Sequence, residues 1–338
     1  MIIVMKPHTP EEQIQRILDE MRSQNLQPMP LIGTERVVIA VIGDERILNV
    51  SHISSLPGVS KVMPVLQPYK LASRETKHEN TIIKVKKTEI GGEKVVIMAG
   101  PCTIENEKQM LEAAEVAHKA GVTILRGGAF KPRTTPYSFQ GMGEEGLKLI
   151  RHAADKYDMA VVTEVMDTRD VLLVSKYADI LQIGARNMQN FNLLKEVGKT
   201  QKPVLLKRGM SSTIKEFLLA AEYIMAEGNP NVILCERGIR TFETETRNTL
   251  DINAIPVIKE YSHLPIIVDP SHSTGKRQWV TPISRAAIAA GADGLLIEMH
   301  PHPEEALCDG DQSLTPPLLE ELFKQCKKVA KAVGRELA

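Results

Sequence analysis

The stretch KPRTTPYSFQG, Lys131 to Gly141, crowds a lysine, an arginine and two threonines among prolines. Pro132 and Pro136 fix φ, so the cations and hydroxyls are held before any ligand arrives, and a phosphate is the guest such a surface suits. Elsewhere, short apolar runs break into polar chemistry at their C-terminal ends, at Cys102, Arg126, Glu164, Arg186, Lys207, Arg237, His272 and Glu298. Arg126, Lys131, Arg133, Arg186, Lys207 and Arg237 form one set. Gathering so many cations is costly unless an anion neutralises them, so the expected ligands carry several negative charges, two phosphates rather than one. Cys102, His272, Glu298 and Asp309 form a second set. One thiol, one imidazole and two carboxylates suit a divalent transition metal, and their mixed softness leaves manganese, iron, cobalt and zinc open. No CxxC or HExxH motif joins these ligands locally, so both sets depend on a fold that brings strand ends together.

The runs are VVIMAGP, TILRGG, AVVTEV, DILQIGA, PVLLKRG, VILCERG, PIIVDPSH and GLLIEMH, and helical stretches separate them. Runs this apolar suit strands buried on both faces, and eight of them with helical crossovers predict a (β/α)₈ TIM barrel rather than an open doubly wound sheet. No GxGxxG follows the first run. In such a barrel the strand C-termini share one mouth. TIIKVKKTEIGGEKVV, from Thr81, predicts a hairpin turning at Gly91-Gly92 ahead of the barrel. Cys235 shares strand parity with Arg237 and is expected in the barrel interior and Cys326 on a helix; Cys308, beside Asp309, is read as an inert thiol, with perturbing the metal or oxidising with Cys102 as the alternatives. His300 and His302 of HPHPEE are either loop residues or further ligands.

Residues 1–66 read as βαββαβ, a small ferredoxin-like domain. The order is an apolar run Met1–Met5, a helix with Thr9 as N-cap and Pro10 at its first position, and runs around Leu31 and over Val37–Ile42. A helix over Ile47–Leu56 and a last run Val59–Val65 complete it. Residues 67–80, with the polar SRETKHEN, predict a linker, and 81–338 the barrel. Lys+Arg and Asp+Glu both total 42 in 338 residues, so no global field draws in nucleic acid or an anionic membrane. Aromatics at 4% leave no stacking platforms for single strands. The four cysteines have no tight pair spacing, and no signal peptide, transit peptide or transmembrane run is evident, which predicts a reduced cytoplasmic enzyme.

AGPC, LRGGAFKPRTTPYSFQG, QIGARN, LLKRG, CERGIRTFE, DPSHS and IEMHPHPEEALCDGDQSL together resemble the 3-deoxy-D-arabino-heptulosonate 7-phosphate (DAHP) synthase family. The resemblance covers nearly the whole chain, including the N-terminal module. It implies condensation of phosphoenolpyruvate with erythrose 4-phosphate and water, releasing phosphate, as the first step of the shikimate pathway. It further implies a phosphoenolpyruvate site of Arg126, Lys131, Ala185, Arg186, Lys207 and Arg237, and a clamp of Arg133 and Thr134 on the phosphate of erythrose 4-phosphate. Cys102, His272, Glu298 and Asp309 match the family's metal ligands, with manganese expected. Lys131, Lys207 and Glu164 are the expected catalytic side chains, Glu164 and Lys207 orienting the water that attacks C2. A homotetramer and feedback by an aromatic effector at the N-terminal domain are also implied. PMPLIG, Pro28 to Gly33, offers little to a tyrosine hydroxyl, so phenylalanine, another pathway product or no effector stay open. No chorismate mutase segment is present.

Three other functions compete with this one. 3-Deoxy-D-manno-octulosonate 8-phosphate synthase reads Lys-Ala-Asn-Arg where Pro132-Arg133 follows Lys131 here, which favours the four-carbon sugar. A Schiff-base aldolase would use Lys207 as nucleophile. An inactive amino-acid-binding protein would not need the intact metal set.

Overall fold

The computed structural model describes residues 1–33, 36–43, 48–63, 68–133 and 135–338. They divide into two units, Met1–Asn80 with Glu260–His263, and Thr81–Lys259 with Leu264–Ala338.

In the first unit β1 (Ile2–Met5), β2 (Gln27–Ile32), β3 (Val37–Ile42) and β4 (Val59–Met63) form an antiparallel sheet in the order β2-β3-β1-β4. Helices α1 (Glu11–Ser23) and α2 (Val50–Ser55) complete the βαββαβ order. Ile17 and Met21, one helical turn apart on α1, bury with Ile3, Met5, Ile39 and Ile53. The start of α1 differs from expectation. Pro10, not Thr9, is the N-cap, with ψ of 143°, and the Thr9 hydroxyl donates to Lys6 O at 2.7 Å instead. Proline has no N–H to lose at a helix start, so it is tolerated one residue earlier than predicted. Of the predicted second helix, Ile47 lies outside the described residues, as do Pro64 and Val65 of the predicted last run. Tyr69, Leu71, Ala72, Ser73 and Thr76 are buried, and Ser73 bridges Ser262 within this unit.

The second unit opens with a hairpin of β5 (Ile83–Val85) and β6 (Thr88–Ile90). Its turn is Lys86-Lys87, not Gly91-Gly92, because Lys86 takes the left-handed φ of 48° that a two-residue turn needs. Gly91 instead leads toward the next strand. Eight parallel strands follow, β7 (Lys94–Gly100), β8 (Ile124–Arg126), β9 (Ala160–Glu164), β10 (Ile180–Ile183), β11 (Val204–Lys207), β12 (Val232–Glu236), β13 (Ile266–Val268) and β14 (Gly294–Glu298). They pair in sequence order, and β14 pairs with β7, closing the barrel. Each predicted run supplies one strand. The crossovers carry α3 (Glu107–Ala120), α4 (Glu144–Asp155), α5 (Val171–Tyr177), α6 (Phe191–Lys199), α7 (Ile214–Met225) and α8 (Ala254–Tyr261). After β13 come α9 (Pro270–Thr274) and α10 (Arg277–Ala289), and after β14 comes α11 (Pro316–Ala332). A short β15 (Glu336–Leu337) pairs beside β7.

Val96, Met98, Ile124, Ala160, Val162, Ile180, Leu205, Ile233, Cys235, Ile267 and Leu296 fill the barrel with hairpin residues Ile83, Val85 and Ile90. Burying each larger aliphatic side chain contributes about 2 kcal/mol. Side chains alternate across a strand, so the interior position after Ile124 is Arg126, after Val162 Glu164, after Ile180 Gln182, after Leu205 Lys207, after Cys235 Arg237 and after Leu296 Glu298. Period 2 therefore turns an apolar core into a polar mouth without any change of strand register. At the equivalent position of β7 a Cβ on Gly100 would collide with the Arg126 carbonyl, and its φ is 155°, so only glycine lets β8 approach there. Cys326 is buried on α11.

Candidate active site

Strand ends, helix α9 and a loop bring the potential metal ligands together. Cys102 follows β7, and Glu298 ends the adjacent β14, opposite Gly100 in the pairing register. Asp269, directly after β13, caps α9. Its Oδ1 accepts from His272 N at 2.9 Å and its Oδ2 from His272 Nδ1 at 2.7 Å, with Pro270 at the first helical position. That bond leaves Nε2 pointing at Glu298 Oε1, 3.4 Å away. Asp309 takes a left-handed φ of 53°, which aspartate tolerates better than most residues, and its Oδ2 lies 3.3 Å from Cys102 Sγ. Donor atoms of His272, Glu298 and Asp309 lie within 4.8 Å of one another, as do those of Cys102, Cys308 and Asp309. Asp309 belongs to both groups.

Electrostatics suit a cation there. Burial would raise the Glu298 carboxyl, yet His272 and Arg126 outweigh it and hold it below the usual range. Burial acts the same way on Asp309, but Arg247 and His272 bring it down to about 2. Burial lowers His272 and favours the neutral imidazole that binds metals. Cys102 keeps its proton through its hydrogen bond with Cys308 and through burial, whereas the same bond lowers Cys308. A thiol held in this way still ligates when a divalent cation displaces the proton. The residues fit a divalent metal.

A cavity of about 330 Å³ opens beside them, lined by Arg126, Lys131, Arg133, Arg186, Lys207 and Arg237 among others. A wider groove of about 940 Å³ adjoins it, but it shares only Arg247 and Asp309 with this cavity and lacks the strand-end cations. The smaller cavity is therefore where anions would collect. Arg126 Nη1 donates to Glu298 Oε1 at 2.9 Å, Lys131 Nζ to Cys102 Sγ at 3.1 Å and Lys207 Nζ to Asp269 Oδ2 at 2.6 Å. The two carboxylate contacts offset part of the charge that sequence alone leaves uncompensated, whereas the protonated Cys102 thiol gives Lys131 a polar partner without a charge. Among the buried cations of the mouth Arg237 stands apart. It is 6% exposed, and among the described residues it has no carboxylate partner, only Gly238 O at 3.4 Å.

The loop after β8 packs across this cavity without regular secondary structure. Lys131 N donates to Gln140 O at 2.9 Å, and exposed Arg186 reaches Pro132 O at 3.4 Å. Ala185 lines the same cavity. Arg133 Nη1 lies 2.7 Å from Cys308 Sγ, and Thr134 lies outside the described residues. Glu164, 8% exposed, receives Gln182 Nε2 at 3.5 Å and packs against Gly184, where a Cβ would fall on its Oε1. Gly184→Ala is therefore expected to push the Glu164 carboxylate aside and lower turnover by about 10²-fold, as misplacements near 1 Å do. Steady-state kinetics beside a melting curve would check it. Wild-type turnover would mean that the position of Glu164 is unimportant.

Cys308 does not stand apart from the site: its Sγ lies 3.4 Å from Cys102 Sγ and touches Arg133. Tertiary packing brings the two thiols together across 206 positions of sequence, which no local spacing reveals. Sequence reasoning also missed Asp269, Gln182, Arg247 and Gln312. Asp269 and Gln182 carried a usable signal, each standing two positions after an interior isoleucine. Arg247 and Gln312 come from loops. Arg247 Nη1 donates to Asp309 Oδ1 at 3.2 Å and to Gln312 Oε1 at 2.8 Å, while Gln312 Nε2 donates to Glu298 Oε2 at 2.5 Å. His300 is buried at 4% exposure, and His302 is half exposed.

Residues 76–335 match the DAHP synthetase I family, and residues 1–67 match the DAHP synthase ferredoxin-like domain. The chain is 54% identical over 334 residues to a phospho-2-dehydro-3-deoxyheptonate aldolase of Thermotoga maritima, covering 99% of each. A crystal structure of phospho-2-dehydro-3-deoxyheptonate aldolase (DAHP synthase) from Thermotoga maritima aligns with a TM-score of 0.80 at 53% identity, covering 100% of this chain and 99% of that one. A 2-dehydro-3-deoxyphosphooctonate aldolase of Geobacter sulfurreducens is 31% identical over 268 residues, 73% of this chain and 97% of the relative.

Proposed function

Since this chain belongs to the DAHP synthetase I family, we propose that its mouth residues perform the family's condensation with the help of one divalent metal ion. The enzyme joins phosphoenolpyruvate to erythrose 4-phosphate and releases phosphate, the first step of the shikimate pathway. The observation that carries the site reading is Arg237, a buried guanidinium that lines the cavity and has no carboxylate partner among the described residues. Such a group is stable when an anion completes it.

In this reading Arg126, Lys131, Ala185, Arg186, Lys207 and Arg237 hold the carboxylate and phosphate of phosphoenolpyruvate. Arg133 and Thr134 hold the phosphate of erythrose 4-phosphate, and Pro132 fixes the separation of the two substrates. Holding both reactants in line converts a bimolecular encounter into a local one. Cys102, His272, Glu298 and Asp309 would bind the metal, manganese first and iron, cobalt or zinc as alternatives. When bound, a divalent cation supplies Lewis-acid polarisation of the aldehyde oxygen. Glu164 and Lys207 orient the water that adds at C2, and Lys131 and Arg237 offset charge that develops on the phosphate side. Lys207 Nζ is engaged by Asp269 at 2.6 Å, whereas a Schiff-base aldolase needs a free amine, so imine chemistry is disfavoured.

Residues 1–66 would form the regulatory part and 81–338 the catalytic part. The resemblance supports an aromatic effector at the N-terminal unit, a homotetramer and a cytoplasmic location. Among the described residues no helix is long and apolar enough to cross a membrane. The test of substrate is loss of phosphoenolpyruvate absorbance with erythrose 4-phosphate, run beside arabinose 5-phosphate. Turnover with the four-carbon sugar alone is expected, and faster turnover with the five-carbon sugar would overturn the assignment.

A further inference from the structure

Two chain segments bring candidate metal ligands to the mouth from different strands, 102–105 after β7 and 307–309 after β14. Glu105 ties them. Its Oε1 accepts from Leu307 N at 2.8 Å, one residue ahead of Cys308 and two ahead of Asp309. Its own segment is anchored from α3, because Gln109 Oε1 accepts from Glu105 N at 3.2 Å and Gln109 Nε2 donates to Thr103 O at 3.0 Å. The Glu105 side chain is 8% exposed.

His300 stands behind the carboxylate. Its Nδ1 accepts from His302 N at 3.0 Å, which leaves the ring hydrogen on Nε2. That buried Nε2 has no hydrogen-bond partner among the described residues and lies 3.7 Å from Glu105 Oε2. One carboxylate oxygen therefore serves the Leu307 amide while the other faces a donor, and the side chain has little freedom to turn. Glu105, His300 and Leu307 line a separate cavity of about 270 Å³, while none of them lines the mouth cavity, so Glu105 does not reach substrate.

We propose that Glu105 is a positioning residue for the metal site. It fixes the Cys308–Asp309 arm relative to Cys102 through the Leu307 amide. The inference rests on the metal reading given above. On the far side of Asp309 the arm is held separately, by Arg277 Nη2 on Gly310 O at 2.8 Å. On the near side the chain runs from Ala306 to Cys308 without helix or strand; Arg133 and Arg247 touch the side chains of Cys308 and Asp309, while the Glu105 bond holds the backbone just before them. Asp309 belongs to both donor groups, so a shift of its arm disturbs each of them. Losing such an outer partner typically weakens metal binding by about 10–100-fold.

The test uses full-length wild type, Glu105→Gln and Glu105→Ala, stripped with a chelator and titrated with Mn²⁺ alone by calorimetry. Glu105→Ala is expected to bind Mn²⁺ about tenfold or more weakly, with kcat recovered at saturating Mn²⁺ and KM for phosphoenolpyruvate unchanged. Glu105→Gln keeps an acceptor for the Leu307 amide and should bind close to wild type. Glu105→Met, which keeps bulk and loses the acceptor, replaces Glu105→Ala if that variant does not fold. Wild-type Mn²⁺ affinity in the variants lacking the acceptor would overturn the proposal, as would a Gln variant as weak as they are. Absence of Mn²⁺ binding in wild type would overturn the metal reading and this inference with it.

Discussion

Complete removal of divalent metal is expected to lower turnover by about 10³-fold or more, and added Mn²⁺ to restore it. The reason lies in the donor set. Glu298 and Asp309 are both held ionised at the mouth, and Asp309 is drawn down to about 2 by charges that outweigh its burial. Two carboxylates and an imidazole converge there, the Cys102 thiol joins them through Asp309, and Asp269 aims the imidazole by holding its Nδ1 at 2.7 Å. Without a cation the set has nothing with which to polarise an aldehyde oxygen, and several kcal/mol of transition-state stabilisation are missing. The measurement is the phosphoenolpyruvate assay as purified, with chelator, and with chelator followed by Mn²⁺. Full activity in protein shown free of metal would sink the four-ligand assignment.

Lys207→Ala is the second large effect. We expect kcat to fall by about 10²–10⁴-fold, the range for losing a group that handles a proton or orients water. Phosphoenolpyruvate binding should weaken as well, because one buried cation leaves the cavity. The substitution also breaks a buried ion pair. Asp269 loses the ammonium at 2.6 Å and keeps only His272, so unfolding stability should fall, by up to about 3–5 kcal/mol for a buried charge left without a partner. Single-turnover kinetics and a denaturant titration separate the two consequences. Normal turnover in a folded Lys207→Ala enzyme would remove Lys207 from the chemistry.

The barrel was legible because parallel strands buried on both faces leave continuous apolar runs, and all eight runs became strands. The cations at the mouth were legible for the same reason, since period 2 carries an interior residue directly to Arg126, Lys207 and Arg237. Turns and caps were less so. Gly91-Gly92 is the stronger turn signal by residue type, yet Lys86 accepted a left-handed φ, and Pro10 displaced Thr9 from the cap. Both outcomes depend on costs near 1 kcal/mol, which packing easily overrides.

By itself the sequence determined the fold class, the βαββαβ module and the strand ends that face the mouth, because burial and side-chain alternation are properties of the chain read locally. It also carried the family motifs. Only the tertiary structure decided which polar residues touch. It set Asp269 between Lys207 and His272, Gln312 between Glu298 and Arg247, Cys308 against Cys102 and Arg133, and Glu105 beneath Leu307. These contacts join strands and loops far apart in sequence, and a hydrogen bond depends on distances of a few tenths of an ångström that no periodicity encodes.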